Sequence, residues 1–353
     1  MKIEEEIKRI EEEIRNTPYN KATQHHIGRL KAKLAKLREQ VERTEKKGKR
    51  EEGIKKSGDA TAVLVGYPSV GKSSLLTALT EKYSDIAEYP FTTKDTVPGM
   101  LRYKDARIQI FDLPGLIEGA SNGRGDGRYI LSKVRVADLV IIVTDIYRVG
   151  AVDKIKEELE KVGIRLDKKP PQINIKKSSE GGIEIYNTVQ LTKINKKTVV
   201  TVLREYGVYN AKLFINQDIG VEDLIDAVAR NRVYLPSITV VNKIDRVKTL
   251  NKIDGVIYTS AKTGEGIEKL KEEIYNKMNF KRIFLKARDS KKLEPFIVRG
   301  NSTVLDVAKR IHRDFVKKFR YAKVWGRSVR YSGQRVGLYH VLEDGDIVEI
   351  KIK

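Results

Sequence analysis

The chain has 353 residues, 40% of them apolar and 33% charged, with no cysteine and a net charge of +22. Length and apolar content suit two or three domains with real cores. The lack of cysteine excludes disulfide frameworks, thiolate metal sites and cysteine nucleophiles, and four histidines leave little for a histidine-rich metal site. Its longest apolar runs, such as Leu139–Val143, fall far short of a membrane span, and the opening MKIEEEIKRIEEE has no apolar signal segment. The expectation is a cytoplasmic protein with no membrane partner. The positive charge is uneven: residues 281–353 hold 19 basic against 8 acidic residues, and residues 18–57 hold 13 against 5. Such asymmetry points to polyanion contact, with RNA the natural polyanion, against the plainer reading of a solvated charged surface.

In chain order, Ile3, Ile7, Ile10 and Ile14 make one apolar helix stripe, Thr17-Pro18 breaks it, and Ile27, Leu30, Leu34, Leu37 and Val41 make a second. The spacing predicts a helical hairpin with its stripes buried on each other. Arg29, Lys31, Lys33, Lys36 and Arg38 occupy its remaining faces, so it is either a plain packing hairpin or a basic arm for RNA or a partner. Glycine and charge between Gly48 and Gly58 mark a linker, which closes a first region at 1–57. Thr61–Gly66 then reads as a buried strand. RIQIFDLPG, ADLVIIVTD, SITVVNKID and GVIYTSAK follow as further β-branched runs among helical patterns, as expected of parallel strands covered on both faces.

The strand ends carry the chemistry. Gly66-Tyr67-Pro68-Ser69-Val70-Gly71-Lys72-Ser73, with Ser74 behind it, fits G-x-x-x-x-G-K-[ST] between a strand and a helix. The glycines let backbone N–H groups wrap a phosphate, Lys72 reaches the β- and γ-phosphates, and Ser73 offers a hydroxyl to Mg²⁺. Thr92 and Thr93 lie where a hydroxyl could complete the Mg²⁺ shell only when a γ-phosphate is present, the physical basis of a nucleotide switch. Asp112-Leu113-Pro114-Gly115 ends the next strand. Asp112 can hold Mg²⁺ through water, and Gly115 offers an N–H near the γ-phosphate. Gly115–Gly127 is glycine-rich and has little intrinsic rigidity. The stretch 164–235 breaks the strand–helix rhythm and reads as an inserted α+β subdomain. Asn242-Lys243-Ile244-Asp245 ends a later strand. Asp245 can accept from guanine N1–H and its exocyclic amine, a donor pair adenine lacks. Asn242 can brace the phosphate loop and Lys243's stem can lie along the base. Ser260-Ala261-Lys262 can offer backbone N–H to the base oxygen. A C-terminal α+β module begins near Ile283: a strand, a helix after Ser302, and a closing strand DIVEIKI.

With these residues in hand, the chain resembles the developmentally regulated GTP-binding protein family of the Obg superfamily, in its archaeal form. The resemblance spans the whole chain and rests on NKATQHHIGRLKAKLAKLREQ, GYPSVGKSSLL, YPFTTKDTVPGM, DLPGLIEGAS, NKID and the C-terminal module. It implies an α/β P-loop G domain over 58–282, interrupted at 164–235 by a subdomain similar to ribosomal protein S5 domain 2, and a β-grasp TGS domain over 283–353. It implies Thr93 rather than Thr92 as the switch threonine on Mg²⁺, beside Ser73 and, through water, Asp112. Catalysis would then rest on Lys72, Thr93 and Gly115. Leu116 stands where many GTPases carry a water-orienting Gln, so slow intrinsic hydrolysis is expected. The positive charge needed in the transition state could come from K⁺, from an arginine supplied in trans, or from Arg124. Some relatives hold K⁺ with an Asn at the position of Ser69.

The resulting expectation is a monomeric GTPase that binds GTP and GDP, switches with nucleotide, and works on ribosomes or RNA in translation, with a stabilising partner protein such as eukaryotic relatives use left open. The rival is a nucleotide-gated RNA-binding scaffold or chaperone in which turnover is incidental. Lys317, Lys318, Arg320, Lys323, Arg327 and Arg330, interleaved with Phe319, Tyr321, Trp325 and Tyr331, could form an RNA surface; alternatively the aromatics are core of a small module.

Overall fold

The structure, a computed structural model, describes residues 2–46, 58–80, 98–113, 133–229, 232–247, 249, 253–287 and 292–352. The linker before Gly58, Thr92, Thr93, Pro114, Gly115, Leu116 and Arg124 lie outside the described residues.

The chain opens with the helices α1 (Lys2–Asn16) and α2 (Gln24–Lys46). The main sheet begins with β1 (Ala60–Val65), α3 (Lys72–Leu79), β2 (Pro98–Tyr103), β3 (Ala106–Asp112) and β4 (Leu139–Asp145). There follow α4 (Ala151–Lys161), β5 (Ile164–Leu166), β6 (Ile173–Lys177), β7 (Ile183–Asn187), α5 (Lys196–Glu205), β8 (Ala211–Ile215), α6 (Val221–Ala229) and β9 (Val233–Leu235). The chain rejoins the main sheet with β10 (Ser237–Asn242), β11 (Val256–Tyr258) and α7 (Ile267–Lys277). It ends with β12 (Phe280–Lys286), β13 (Leu293–Arg299), α8 (Val304–Ile311), α9 (Arg313–Lys317), β14 (Phe319–Trp325), β15 (Gln334–Val336) and β16 (Ile347–Ile352).

The elements pack into two compact units. In one, six strands form a sheet in the order β11-β10-β4-β1-β3-β2, all parallel except the edge strand β2. β1 and β4 are buried along their whole length, which explains why they read as unbroken apolar runs. β3 and β4 flank β1 on opposite sides, so the strand order reverses at β1. Ligands of open α/β sheets bind at such a reversal, beyond the C-terminal strand ends.

The C-terminal module belongs to the same unit. Its five strands run β13-β12-β16-β14-β15, with β12 and β16 parallel. α8, whose first turn is locked by a capping box between Thr303 and Asp306, covers one face, where Ile283, Val298, Val307, Ala322, Val324 and Val348 are buried. Phe280 and Ile297 join the core of the main sheet instead. Two arginines reinforce this join. Arg299 forks onto Asp138 (3.0 Å) and the backbone carbonyl of Asp59, and Arg310 reaches the Asp59 carboxylate (2.9 Å). Asp59 and Asp138 precede β1 and β4, so the module is fastened at the N-terminal end of the sheet.

The other unit combines the hairpin with the insert. Ile7, Ile10, Leu30, Leu34 and Leu37 bury on one another as their spacing predicts. α2 has a second packed face that its periodicity did not announce. Gly28, Ala32 and Ala35 lie against the insert: a Cβ on Gly28 would stand 2.7 Å from a methyl of Thr198, and Ala32 is fully buried in the insert's core. The hairpin's cations are largely consumed by packing. Lys31 pairs with Glu222 (2.8 Å), Lys33 with Glu6 (2.6 Å) and Arg38 with Glu11 (2.6 Å), and Lys36 donates to the Glu205 carbonyl (2.9 Å). This favours the packing hairpin over the basic arm.

The insert is an α+β layer. A three-stranded sheet, β6-β8-β7, is backed by α5 and α6, and β5 pairs with β9. Asp226 on α6 receives a bidentate pair from Arg165 (2.6 and 2.7 Å) and a third contact from Arg232 (2.9 Å). Asp226 and Arg232 are each less than a tenth exposed. Removing the anion takes the shared carboxylate partner from two largely buried arginines, which keep Glu39 and the Glu160 carbonyl, so Asp226→Ala should destabilise this unit by about 3–5 kcal/mol. Chemical denaturation followed by far-UV circular dichroism would show it. A loss under about 1 kcal/mol would mean the arginines find other partners.

Candidate nucleotide site

The register of the main sheet brings the three sequence motifs level. Leu64 pairs with Asp112, Val65 with Ile142, and Asn242 with Asp145, so the ends of β1, β3, β4 and β10 form one edge. The loop Gly66–Gly71 leaves β1 at this edge and leads into α3. Its glycines are dictated by space and backbone: a Cβ on Gly66 would sit 2.1 Å from the Val143 carbonyl, and Gly71 has φ +92° with the Asn242 amide 2.5 Å from any Cβ. Ser69 also takes a left-handed conformation, φ +66°, one a non-glycine residue adopts only where its surroundings hold it. Pro68 and Ser69 are exposed, Val70 is buried, and Tyr67 packs partly on the main core.

Lys72 is 8% exposed, and its ammonium donates to the carbonyls of Gly66 and Tyr67, both at 3.2 Å. Burial pushes its pKa down, and the nearby Asp112 carboxylate pulls it part of the way back. A dehydrated cation held inside a loop of this shape is suited to a phosphate, whose charge would relieve the desolvation. Ser73 and Ser74, in the first turn of α3, are exposed. The Ser73 hydroxyl donates to Asp112 Oδ2, while Asp112 Oδ1 is buried with no hydrogen-bond partner among the described residues. A hydroxyl and a carboxylate oxygen in contact, one carboxylate oxygen unsatisfied, form a hard oxygen set that fits Mg²⁺. Leu113 is buried, its N–H donating to the Leu64 carbonyl at 3.3 Å.

On the base side, Asn242 is 2% exposed and joins two loops. Its Nδ2 donates to the Val70 carbonyl (3.1 Å), and its Oδ1 accepts from the Ala261 N–H (3.1 Å). A base oxygen approaching Ala261 would share that N–H with Asn242; the Ser260 N–H is engaged with the Glu265 carbonyl (3.0 Å). Lys243, at φ +64°, stretches across the phosphate loop and donates to the Ser69 carbonyl and to Asp145 (3.1 Å). Its methylene stem therefore lies along the edge where a base would rest. Asp245 is exposed, and its Oδ1 accepts from the Ser260 hydroxyl at 2.6 Å. That hydrogen bond holds the Asp245 carboxyl below its usual range. Lys262 is exposed at the same loop.

The sequence reading passed over Asp145. This buried carboxylate at the end of β4 anchors Lys243, and its signal was present: an Asp closing the apolar run LVIIVTD at the sheet's C-terminal edge.

Comparison with known proteins agrees with this geometry. The family model described as "50S ribosome-binding GTPase" matches residues 61–177, its C-terminal region matches 180–280, and the TGS domain matches 281–352. An uncharacterized GTP-binding protein of Methanocaldococcus jannaschii is 51% identical over all of this chain and 94% of its own length. Developmentally-regulated GTP-binding protein 2 of Mus musculus is 41% identical over 99% of both chains.

The chain belongs to the developmentally regulated GTP-binding protein family.

It is thus a GTP-binding protein with GTPase activity, built from a P-loop G domain and a TGS domain. Among solved structures, the YchF GTPase of Schizosaccharomyces pombe has a TM-score of 0.46 at 18% identity, covering 84% of this chain and 99% of that one. Among the described residues, no helix is long and apolar enough to cross a membrane.

Two outcomes test the base side of the site. Asn242→Ala leaves the Val70 carbonyl and the Ala261 N–H without their shared partner, and should weaken GTP binding about 10- to 100-fold in titration calorimetry. Because Asp245 stays ionised below the usual carboxylate range, the preference for GTP over ATP should be flat from about pH 8 down to about pH 5. A decline beginning near pH 6 would assign base recognition to another group.

Proposed function

We propose that this protein is a Mg²⁺-dependent GTPase switch that works on the ribosome or another RNA surface. The proposed layout is a G domain over 58–282 interrupted by the insert at 164–235, with the TGS domain from 283 onward. The observation that carries the GTP side is the single edge where the buried Lys72, the Ser73–Asp112 pair and the Asn242–Asp245 loop converge.

In this reading the N–H groups of Gly66–Ser74 wrap the phosphates and Lys72 neutralises the β- and γ-oxygens. Asp245 accepts from the guanine N1–H and amine, Lys243 lies along the ring, and Asn242 keeps the two loops at their working distance. Ser73 and Asp112, directly and through water, would hold Mg²⁺, which supplies charge neutralisation on the β- and γ-oxygens. Thr93 and the Gly115 N–H would sense the γ-phosphate, and their release after hydrolysis would let the adjoining loops relax. With Leu116 in the usual glutamine place, the attacking water needs orientation from elsewhere, and a partner that supplies it would act as the activator.

The RNA side draws support from the C-terminal sheet. Ala322 and Val324 point into its core, so Tyr321, Lys323 and Trp325 on alternate positions of β14 stand on the opposite face. Arg335 lies over the Tyr321 ring at 4.7 Å and Lys286 over Trp325 at 5.0 Å. Tyr321 and Trp325 are therefore displayed outside the module's core beside basic side chains, whereas Phe319 packs into the core. Rings flanked by cations suit nucleic acid. The description of the matching family, a GTPase that binds the 50S ribosome, points the same way.

Lys72→Ala should abolish tight GTP binding while leaving the fold intact; binding within about threefold of the unaltered protein would refute the assigned phosphate site. Single-turnover hydrolysis with and without ribosomes, run in K⁺ and in Na⁺, separates switch from scaffold. Stimulation well beyond about twofold is expected for a switch, whereas less would favour a nucleotide-gated RNA scaffold with incidental turnover.

A further inference from the structure

The three-stranded sheet of the insert has one face in the core and one in solvent. Ile173, Ile175, Ile183, Ile185 and Leu213 pack inward against α5 and α6. The alternate positions point out and stand level across the strands: Asn174 beside Phe214 beside Tyr186, and Lys176 beside Lys212 beside Glu184. An outward face of a small sheet is ordinarily polar. This one carries two aromatic rings at its middle.

The rings of Phe214, on the central strand, and Tyr186, on the edge strand, are stacked, with centroids 5.2 Å apart and planes 13° apart. Lys176, from the strand on the other flank, holds its ammonium 5.6 Å from the Phe214 ring centre. Tyr186 is 47% exposed at the sheet's edge. The Tyr186 hydroxyl donates to Glu184, and Lys212 stands 3.6 Å from the same carboxylate. Among the described residues, the anion on this face is thereby matched, while Lys176 remains exposed beside the stack.

A flat, near-parallel ring stack that ends at an open edge, bordered by lysines, matches the two demands of a single-stranded nucleic acid: a π-face for a base and cations for its phosphates. A duplex offers no free base face, and a protein partner would need more contiguous apolar surface than two rings among charges. We propose that the outer face of β6-β8-β7 is a stacking platform for single-stranded RNA. An unpaired base extends the Phe214–Tyr186 stack, and Lys176 and Lys212 meet the backbone. The proposal shares only its class of partner with the RNA reading above. Its surface lies in the other compact unit from the TGS sheet.

The test uses the full chain and a fluorescein-labelled oligouridylate of about 12 nucleotides at low salt, followed by anisotropy. The unaltered protein should bind it more tightly than a duplex of equal length. Tyr186→Ala should weaken binding by about fivefold or more, Tyr186→Phe should keep it, and both should bind GDP normally, which shows that the protein is folded. Photo-cross-linking with 4-thiouridine in the same strand should modify peptides holding Tyr186 or Phe214. If the unaltered protein ignores the strand, the platform is refuted, while the ribosome reading rests on the hydrolysis test above. If it binds but Tyr186→Ala binds equally well, or cross-links lie wholly within 281–352, this platform is refuted and the TGS surface stands.

Discussion

One buried amide holds the nucleotide site together. The phosphate loop, the Asn242–Asp245 turn and the Ser260–Lys262 loop come from distant parts of the chain, and none is long enough to define its own shape. Asn242 bonds a carbonyl of the first and an N–H of the third from a position 2% exposed to solvent. In so dry a setting an unmet carbonyl or N–H is costly, so the three loops are compelled to keep one mutual spacing. Lys243 adds a second tie over the top of the loop to Ser69 and Asp145. The loops proposed to read the base and to grip the phosphates are therefore parts of one hydrogen-bonded frame.

Polarity along the sheet separates the tasks of the larger unit. Motif loops cluster at the C-terminal strand ends. At the opposite end, Asp59 and Asp138 receive the arginines of the TGS module, and Phe280 and Ile297 carry the main core into it. A charge-assisted fork combined with shared apolar burial makes a stiffer join than either alone. The aromatic–basic face of the module is thus carried on a platform continuous with the nucleotide-binding sheet.

The smaller unit is organised by close approach. Gly28, Ala32 and Ala35 let α2 settle on the insert, where a larger side chain at position 28 would collide with Thr198. Overpacking of that kind costs on the order of 1–3 kcal/mol. The Asp226 cluster then ties α6 to the β5–β9 pair. Because its inner face is filled by helices, the insert's sheet presents its stacked aromatics on the outer face, which is open among the described residues.

Much of this was legible in the chain alone. The phosphate loop, DLPG and NKID identify themselves because each requires particular residue types at consecutive positions, and continuous β-branched runs reveal strands covered on both sides. Both hairpin stripes were readable from their helical period, since burial of that face is a local pattern. What could not be read is what depends on distant segments meeting. Gly28 and Ala32 look like ordinary small residues until α5 lies against them. The hairpin's lysines look free until Glu222 and Glu205 arrive. Tyr321 and Trp325 could have faced either side of their sheet until Ala322 and Val324 took the inner one. Asp145 acquires its role when strand register sets it beside Lys243. Composition and spacing decide chemistry and element type, because those are properties of neighbouring residues; three-dimensional packing decides which faces are consumed, because burial is shared between residues the chain keeps far apart.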